Sequence, residues 1–270
     1  MEYIQAFLLG LLQGITEFLP VSSSGHLALG SALLGTELAP GITFEIVVHF
    51  GSFCSIVVYF HKRIGILFSD LFKSFSPQGL RTRRYFMDAS TRLVGIILLS
   101  MIPAGVAYVL FKDPVEAVFR NPTLVSFFLL ITGAMLFSTR YVKEPKKSIN
   151  AGRGFMMGVA QAFALIPGIS RSGFTISTGL LMGINRDGVA NFSFLMVLPV
   201  LGGAMLYDMV RMAGAGLDMT TVITLLIGFF TSFISGYFAL KYLIILLKRE
   251  KIHYFAFYCW AVGVFGLIYF

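Results

Sequence analysis

Long apolar runs, separated by short polar segments, dominate the sequence. Six runs reach the roughly 17–25 residues that a helix needs to cross a bilayer, and they predict transmembrane helices at 44–60, 93–111, 122–139, 189–210, 219–240 and 254–270. A soluble globule has about a quarter of its residues charged, whereas 13% of these 270 residues are charged and 57% are hydrophobic. The pattern therefore predicts an all-α polytopic membrane protein and excludes a soluble or disordered chain.

Two further apolar stretches are interrupted by residues that break helices. The stretch 3–35 contains Pro20 and a Ser-Ser-Ser-Gly run at 22–25, and the stretch 155–183 contains Pro167 and a Ser-Arg-Ser-Gly run at 170–173. Proline and clustered small polar residues end helices. Each stretch therefore predicts a re-entrant helical hairpin, with two short helices around a polar turn. Non-helical backbone at membrane depth needs protein or a water-filled cavity around it.

The basic residues predict how the chain crosses the membrane. Sixteen of the 21 Lys and Arg residues fall in three segments, 61–92, 138–154 and 241–253. Because basic residues concentrate in cytoplasmic loops, we expect these segments inside and both termini outside. The same loops account for the net charge of +8, so we expect contact with anionic lipid and no nucleic acid partner.

The two interrupted stretches also share a weak internal repeat at an offset of 148 residues. The matching residues around the turns are Gly10, Gln13, Ser22, Ser24 and Gly25 against Gly158, Gln161, Ser170, Ser172 and Gly173. Each half would hold one hairpin and three spans, and an odd number of spans inverts the second half. We therefore expect a single integral membrane domain over 1–270, with inverted repeats at about 1–140 and 150–270. Paired broken helices in inverted repeats indicate a binding site near the midplane.

The two turns offer complementary chemistry. Gln13 and Glu17 are four residues apart and share one helix face, while the second turn supplies Arg171. Hydroxyls and glycines before a helix N-terminus are typical of an anion site, and arginine binds phosphate oxygens bidentately. This set of groups fits phosphoryl transfer, which needs mainly positioning and charge stabilisation.

Four residues are candidates for catalysis. His26 could act as general acid or base, or as nucleophile. Ser23 could be a nucleophile if a base is adjacent. Glu17 could be that base, or a ligand for a divalent cation, Mg²⁺ or Ca²⁺, on the phosphates. Arg171 would bind the phosphate itself. The remaining candidates, for substrate binding, are Gln13, Ser22, Ser24, Gly25, Ser170, Ser172, Gly173 and Thr175.

A different class of function also fits these residues. Inverted repeats with broken helices are transporter architecture, and a carboxylate at depth can be a proton site. A secondary transporter or flippase for an anionic substrate is therefore the alternative. Release of inorganic phosphate from that substrate would separate the two classes.

The two turn motifs resemble a known family. Gln-x-x-x-Glu-Phe-Leu-Pro-Val-Ser-Ser-x-Gly-His at 13–26 and Pro-Gly-x-Ser-Arg-Ser-Gly-x-Thr at 167–175 look like the bacterial undecaprenyl-diphosphate phosphatases of the bacitracin-resistance type, over essentially the whole chain. The resemblance implies hydrolysis of undecaprenyl diphosphate to the monophosphate and inorganic phosphate with a divalent cation. It implies a site open to the outer face of the bacterial inner membrane. It also implies recycling of the lipid carrier for peptidoglycan synthesis, and hence bacitracin resistance.

The resemblance also implies roles for individual residues. The family's acidic motif falls on Gln13 and Glu17, its serine and histidine on Ser23 and His26, and its arginine on Arg171. Many members have Glu where this chain has Gln13, which places more weight on Glu17. The pattern leaves open whether Ser23 or His26 attacks phosphorus. The implied partner is a polyprenyl diphosphate lipid. For the transporter or lipid flippase alternative, the substrate would be an anionic polyprenyl phosphate. A monomer and a homodimer both remain open.

Overall fold

A computed structural model describes residues 3–34, 41–82, 88–143, 145–212 and 218–270. Within these ranges the regular structure is helical and contains no strand; a single parallel bridge joins Lys147 to Ile184. The helices before residue 140 are α1 (Tyr3–Phe18), α2 (Ser23–Leu34), α3 (Gly41–Tyr59), α4 (His61–Ser74), α5 (Pro77–Arg81), α6 (Ala89–Phe119) and α7 (Pro122–Ser138). Those that follow are α8 (Ala151–Phe163), α9 (Arg171–Leu181), α10 (Arg186–Met212), α11 (Met219–Lys248) and α12 (Phe255–Tyr269).

Several of these helices are long and apolar enough to cross a membrane. Among the described residues four qualify by length and composition: α6, α7 with the 3₁₀ turn after it, α11, and α12 with the 3₁₀ turn before it. A fifth candidate is the pair α3 and α4, which is bent by 74°. The expectation of an all-α polytopic membrane protein is thereby confirmed. The predicted run 189–210 lies in α10, whose side chains from residue 204 onward lie outside the described residues.

Some helices extend beyond the apolar runs that predicted them. α6 continues past residue 111 to Phe119, with a kink at Phe111 and Pro114 just after it. The segment after residue 60, where the apolar pattern predicts a loop, contains the helix α4. Its Leu67 is buried, while Lys62 and other polar residues are exposed. Apolar length marks only the part of a helix that crosses lipid, so it misses polar extensions and amphipathic helices.

Small residues let the first helix of each broken stretch pack closely on a long helix. Gly10 of α1 lies directly against Gly228 of α11, where a Cβ would collide with backbone. Gly158 of α8 lies in the same way against the backbone of Ser100 in α6. Close backbone approach through small residues is the usual way helices associate in membranes. Each stretch is thus held by a long helix from the other half of the chain.

Both broken stretches turn where the sequence predicts a break. α1 ends at Phe18 and α2 begins at Ser23, and in the turn Ser22 has a positive φ of 69°. α8 ends at Phe163 and α9 begins at Arg171, and here Gly168 has a φ of 94°. The left-handed region is unfavourable for a residue with a Cβ. The Ser22 conformation is therefore imposed by the packing and hydrogen bonds of the turn.

Candidate active site

Glu17 is the centre of a hydrogen-bonded cluster that joins the two turns. Its Oε1 accepts from Nη2 of Arg171 at 2.6 Å, and its Oε2 accepts from Oγ of Ser23 at 2.8 Å and Nε2 of Gln13 at 3.1 Å. The side chains of Glu17 and Arg171 are only 9% and 14% exposed. Four of the predicted site residues therefore lie together, although Arg171 is 154 residues from Glu17 in the chain.

Helix ends position each member of this cluster. Gln13 and Glu17 lie one helical turn apart on the last part of α1, and Ser23 is the first residue of α2. Arg171 is the first residue of α9, so it projects from a helix N-terminus. A buried charge requires a partner, because an uncompensated one costs several kcal/mol. The ion pair across the turns therefore fixes how the two turns sit against each other.

Ser22, Ser24 and Gly25 form the start of α2. The Oγ of Ser22 accepts from the backbone N–H of Gly25 at 3.2 Å and lies 3.3 Å from the Oγ of Ser24. Such a hydrogen bond is the N-cap interaction that stabilises a helix start. Ser22 is buried, and its hydroxyl is engaged in these two contacts. Direct phosphate binding by these three residues stays a prediction.

The second turn repeats the same capping arrangement. The Oγ of Ser170 accepts from the backbone N–H of Gly173 at 3.1 Å and lies 3.3 Å from the Oγ of Ser172. Thr132 of α7 holds this turn from outside: its Oγ1 donates to the carbonyl of Gly168 at 2.8 Å and accepts from the N–H of Ser170 at 3.0 Å. Thr132 was not among the predicted residues, because one threonine in an apolar run gives no signal.

The two turns touch each other. The Oγ of Ser172 donates to the carbonyl of Leu19 at 3.3 Å. A Cβ on Gly25 would lie 3.1 Å from the Cα of Gly168, so the backbones of the two turns are in contact at this point. A larger residue at position 25 would push the turns apart and lengthen the ion pair beside them.

Thr175 lies behind Arg171, between α9 and α10. Its Oγ1 donates to the carbonyl of Arg171 at 2.8 Å and lies 2.6 Å from the Oγ of Ser193 in α10. The side chain is fully buried. Thr175 therefore joins α9 to α10 behind Arg171, and substrate contact by its hydroxyl remains untested.

His26 is bound at both ring nitrogens. Its Nδ1 lies 2.8 Å from the carbonyl oxygen of Ser22, and its Nε2 lies 2.8 Å from the hydroxyl of Tyr258 in α12. The imidazole and phenol rings are nearly parallel, with centroids 5.5 Å apart. Tyr258 was missed from sequence because it lies in an aromatic-rich apolar run, 232 residues from its partner.

Two atoms of the Glu17 cluster are buried and have no hydrogen-bond partner among the described residues. They are Nη1 of Arg171, which can only donate, and Oε1 of Gln13, which can only accept. Leaving a buried polar atom unpaired costs about 1–3 kcal/mol. The free guanidinium nitrogen is suited to an anionic oxygen, and the free amide oxygen is suited to a donor or a cation.

A divalent cation fits this site only if the substrate shares in binding it. The described residues contain no group of three or more His, Cys, Asp or Glu side chains that could hold a metal. Both oxygens of Glu17 already accept hydrogen bonds. Mg²⁺ is commonly bound by one or two carboxylates together with phosphate oxygens and water. Glu17 and the free amide oxygen of Gln13 fit that mode of binding.

Fold and site together define a class: a helical, polytopic membrane protein in which two broken helices close a buried site containing a carboxylate, a hydroxyl and a guanidinium. The chain belongs to the BacA family, since the family model described as bacitracin resistance protein BacA matches residues 6–265. This confirms the resemblance that the two turn motifs indicate.

Relatives with similar sequences carry one name. An undecaprenyl-diphosphatase of Bacteroides fragilis is 45% identical over 273 residues, covering 99% of this chain and 98% of that protein. The undecaprenyl-diphosphatase of Parabacteroides distasonis is 44% identical, over 98% of this chain and 97% of that protein. The undecaprenyl-diphosphatase of Halothermothrix orenii is 38% identical, over 99% of this chain and 98% of that protein.

Proposed function

We propose that this protein is a membrane phosphatase that hydrolyses undecaprenyl diphosphate to undecaprenyl phosphate and inorganic phosphate. The observation that carries the proposal is the free Nη1 of Arg171, buried beside the hydrogen-bonded pair Ser23 and Glu17. Relatives that match over almost the whole chain are named for this activity. For that reason the secondary transporter or flippase alternative is not favoured.

The terminal phosphate would bind at Arg171. Its free Nη1 would donate to a phosphate oxygen, and the charge of the guanidinium would stabilise the developing negative charge at phosphorus. The N-terminus of α9 adds its dipole at the same place. Nη2 of Arg171 would keep its hydrogen bond to Oε1 of Glu17, while Oε2, to which Ser23 already donates, would accept the proton.

Ser23 is the nucleophile that the hydrogen bonds favour, because its Oγ already donates to a carboxylate. Its oxygen would bond to the terminal phosphorus as the bond from phosphorus to the bridging oxygen breaks, and its proton would pass to Glu17. Undecaprenyl phosphate leaves, and water then hydrolyses the phosphoserine to release inorganic phosphate. His26 would supply the acid–base function of the second step.

A divalent cation, Mg²⁺ or Ca²⁺, is part of this proposal. Glu17 and the amide oxygen of Gln13 would hold it together with the phosphate oxygens. When bound, it would neutralise part of the charge of the diphosphate. Because the amide of Gln13 is a neutral ligand, we expect the cation to bind more weakly than it would to two carboxylates.

The proposed membrane arrangement is six spans and two re-entrant hairpins in one domain over 1–270. The repeated capping pattern of the two turns, and the packing of each broken stretch on a helix of the other half, support inverted repeats at about 1–140 and 150–270. The basic segments support both termini outside, with the site open to the outer face of the bacterial inner membrane. A cysteine-accessibility map that placed 138–154 outside would contradict this arrangement.

In the cell such an enzyme would return the lipid carrier to peptidoglycan synthesis. Bacitracin sequesters the diphosphate form of the carrier, so faster conversion to the monophosphate would confer resistance. The lipid would not have to leave the membrane during the reaction, because the polyprenyl tail would remain between the helices and the bilayer.

The central experiment combines phosphate release with trapping. Purified protein in detergent, given undecaprenyl diphosphate labelled in the terminal phosphate, should release labelled phosphate, and Arg171→Ala should not. Acid quenching should leave label on Ser23, since phosphoserine survives acid and phosphohistidine does not. Label that survives an alkaline quench, is released by acid and is absent in His26→Ala would make His26 the nucleophile. Binding of the lipid without release would contradict the phosphatase itself.

A further inference from the structure

His26 is held between two oxygens of different character. The carbonyl of Ser22 can only accept a hydrogen bond, so Nδ1 of His26 carries the ring proton. In the neutral imidazole Nε2 then bears a lone pair, and the hydroxyl of Tyr258 donates a hydrogen bond to it. Nε2 is therefore the nitrogen that can exchange a proton, and Tyr258 is its partner.

The placement of Tyr258 is fixed by its neighbours. The next residue, Cys259, is fully buried and its thiol donates to the carbonyl of Pro20 at 3.6 Å. Two successive residues of α12 thus contact the first turn. The phenol ring is 46% exposed, and its parallel stacking with the imidazole fixes the plane of the His26 ring.

A phenol can serve both protonation states of its partner. The Tyr258 hydroxyl donates to Nε2 when His26 is neutral, and its oxygen accepts from Nε2–H when His26 is an imidazolium. A phenylalanine would keep the ring stacking but could do neither. The hydroxyl therefore has a function that packing alone does not explain.

We infer that Tyr258 is a proton-relay residue for the acid–base step: its hydroxyl gives its proton to Nε2 of His26 as its oxygen takes one from the attacking water, and the imidazolium later returns the proton to water through the same hydroxyl. The role of Tyr258 in catalysis rests on the proposed function. The hydrogen bond between Tyr258 and His26 does not, and can be tested separately.

The first experiment measures that bond directly. Protein labelled with ¹⁵N-histidine, in lipid nanodiscs, should show a protonated Nδ1 and a hydrogen-bonded Nε2 for His26, assigned by their loss in His26→Ala. In Tyr258→Phe the Nε2 resonance should shift toward that of a free lone-pair nitrogen, while the Nδ1–H signal stays. An unchanged Nε2 resonance would overturn the inference, whatever the activity of the protein.

The second experiment measures phosphate release by Tyr258→Phe, with Tyr269→Phe as the same change elsewhere on α12. We expect kcat of Tyr258→Phe to fall about 10-fold with KM nearly unchanged, because general acid–base catalysis contributes roughly 10²–10⁴-fold and a water molecule can replace part of the lost relay. Equal kcat values for the two variants would overturn the relay role. If wild-type protein released no phosphate, the proposed function would fail, and the resonance measurement would still decide on the bond.

Discussion

The two turns share one capping pattern and carry different chemistry. In each, a buried serine caps the following helix through the N–H of a glycine three residues later. At the offset of 148, however, Glu17 corresponds to Leu165, and Ser23 corresponds to Arg171. The carboxylate and hydroxyl thus come from one turn and the cation from the other. If the proposed function is right, the two turns divide a catalytic set between them, and neither turn contains a complete site.

The two corresponding glutamines show what the difference does to a neighbour. Gln13 donates to Glu17, whereas both amide atoms of Gln161 are buried without a partner among the described residues. Leu165 stands where the carboxylate would be. Of the two glutamines, only the one beside the carboxylate donates a hydrogen bond from its amide among the described residues.

The largest expected effect comes from removing the charge that distinguishes the first turn. Glu17→Gln should lower kcat/KM about 10²–10⁴-fold, the usual contribution of a general base, and added Mg²⁺ should not restore it. Phosphate release across a Mg²⁺ titration measures this. If high Mg²⁺ restored turnover, metal binding and not proton transfer would be the essential role of Glu17. Thermal unfolding in detergent provides the control, because the change also leaves Arg171 unpaired.

The next largest effect is expected from removing a serine hydroxyl, and it should differ between the two turns. Ser23→Ala should reduce kcat almost as much as Glu17→Gln if Ser23 attacks phosphorus. Ser172→Ala, the same change at a serine of the second turn, removes a bond to the Leu19 carbonyl. It should cost about 0.5–1.5 kcal/mol of unfolding free energy. Steady-state rates and thermal unfolding of both variants test this. A loss of only 1.5–3 kcal/mol of transition-state stabilisation in Ser23→Ala would reduce Ser23 to a hydrogen-bond donor.

Arg171→Lys tests whether the second turn contributes geometry or only charge. An ammonium cannot donate to Glu17 and to a phosphate oxygen from one planar fork. We expect kcat/KM to fall about 10-fold or more, with substrate binding less affected. Near-normal turnover would mean that Arg171 acts only as a counter-charge.

The smallest effect is expected at Gln161. Gln161→Leu should leave phosphate release unchanged and leave thermal stability unchanged or higher, because an apolar group replaces buried unpaired amide atoms. The matched Gln13→Leu should lower activity, since it removes a hydrogen bond to a charged group. Equal losses in the two variants would show that Gln161 also belongs to the site.

Local sequence patterns predicted those parts of the site that depend on local spacing. Gln13 and Glu17 meet because they are one helical turn apart. Arg171 could be expected to find a carboxylate because a charge at this depth requires one. Both turns followed from proline and clustered serines.

Long-range contacts between ordinary residues could not be predicted in this way. Thr132 and Tyr258 lie in apolar runs whose pattern indicates only a span, and their role depends on which helices become neighbours. Thr175 matched the motif, yet its hydroxyl is used against Ser193. The helix α4 was missed because its alternation of apolar and charged residues lacks the length of a span.

The packing of α1 on α11 has a consequence for biosynthesis. The ribosome delivers Glu17 long before Arg171, its counter-charge, and before Gly228, against which α1 packs. At synthesis rates of roughly 5–20 residues per second, the broken stretch waits tens of seconds near the translocon with an unpaired carboxylate, which hydrocarbon rejects. If the stretch is re-entrant as proposed, its carboxylate gains its counter-charge only after Arg171 is synthesised, and its first helix gains its packing partner only with α11. We therefore expect a nascent chain to be inactive on lipid until α11 is in place.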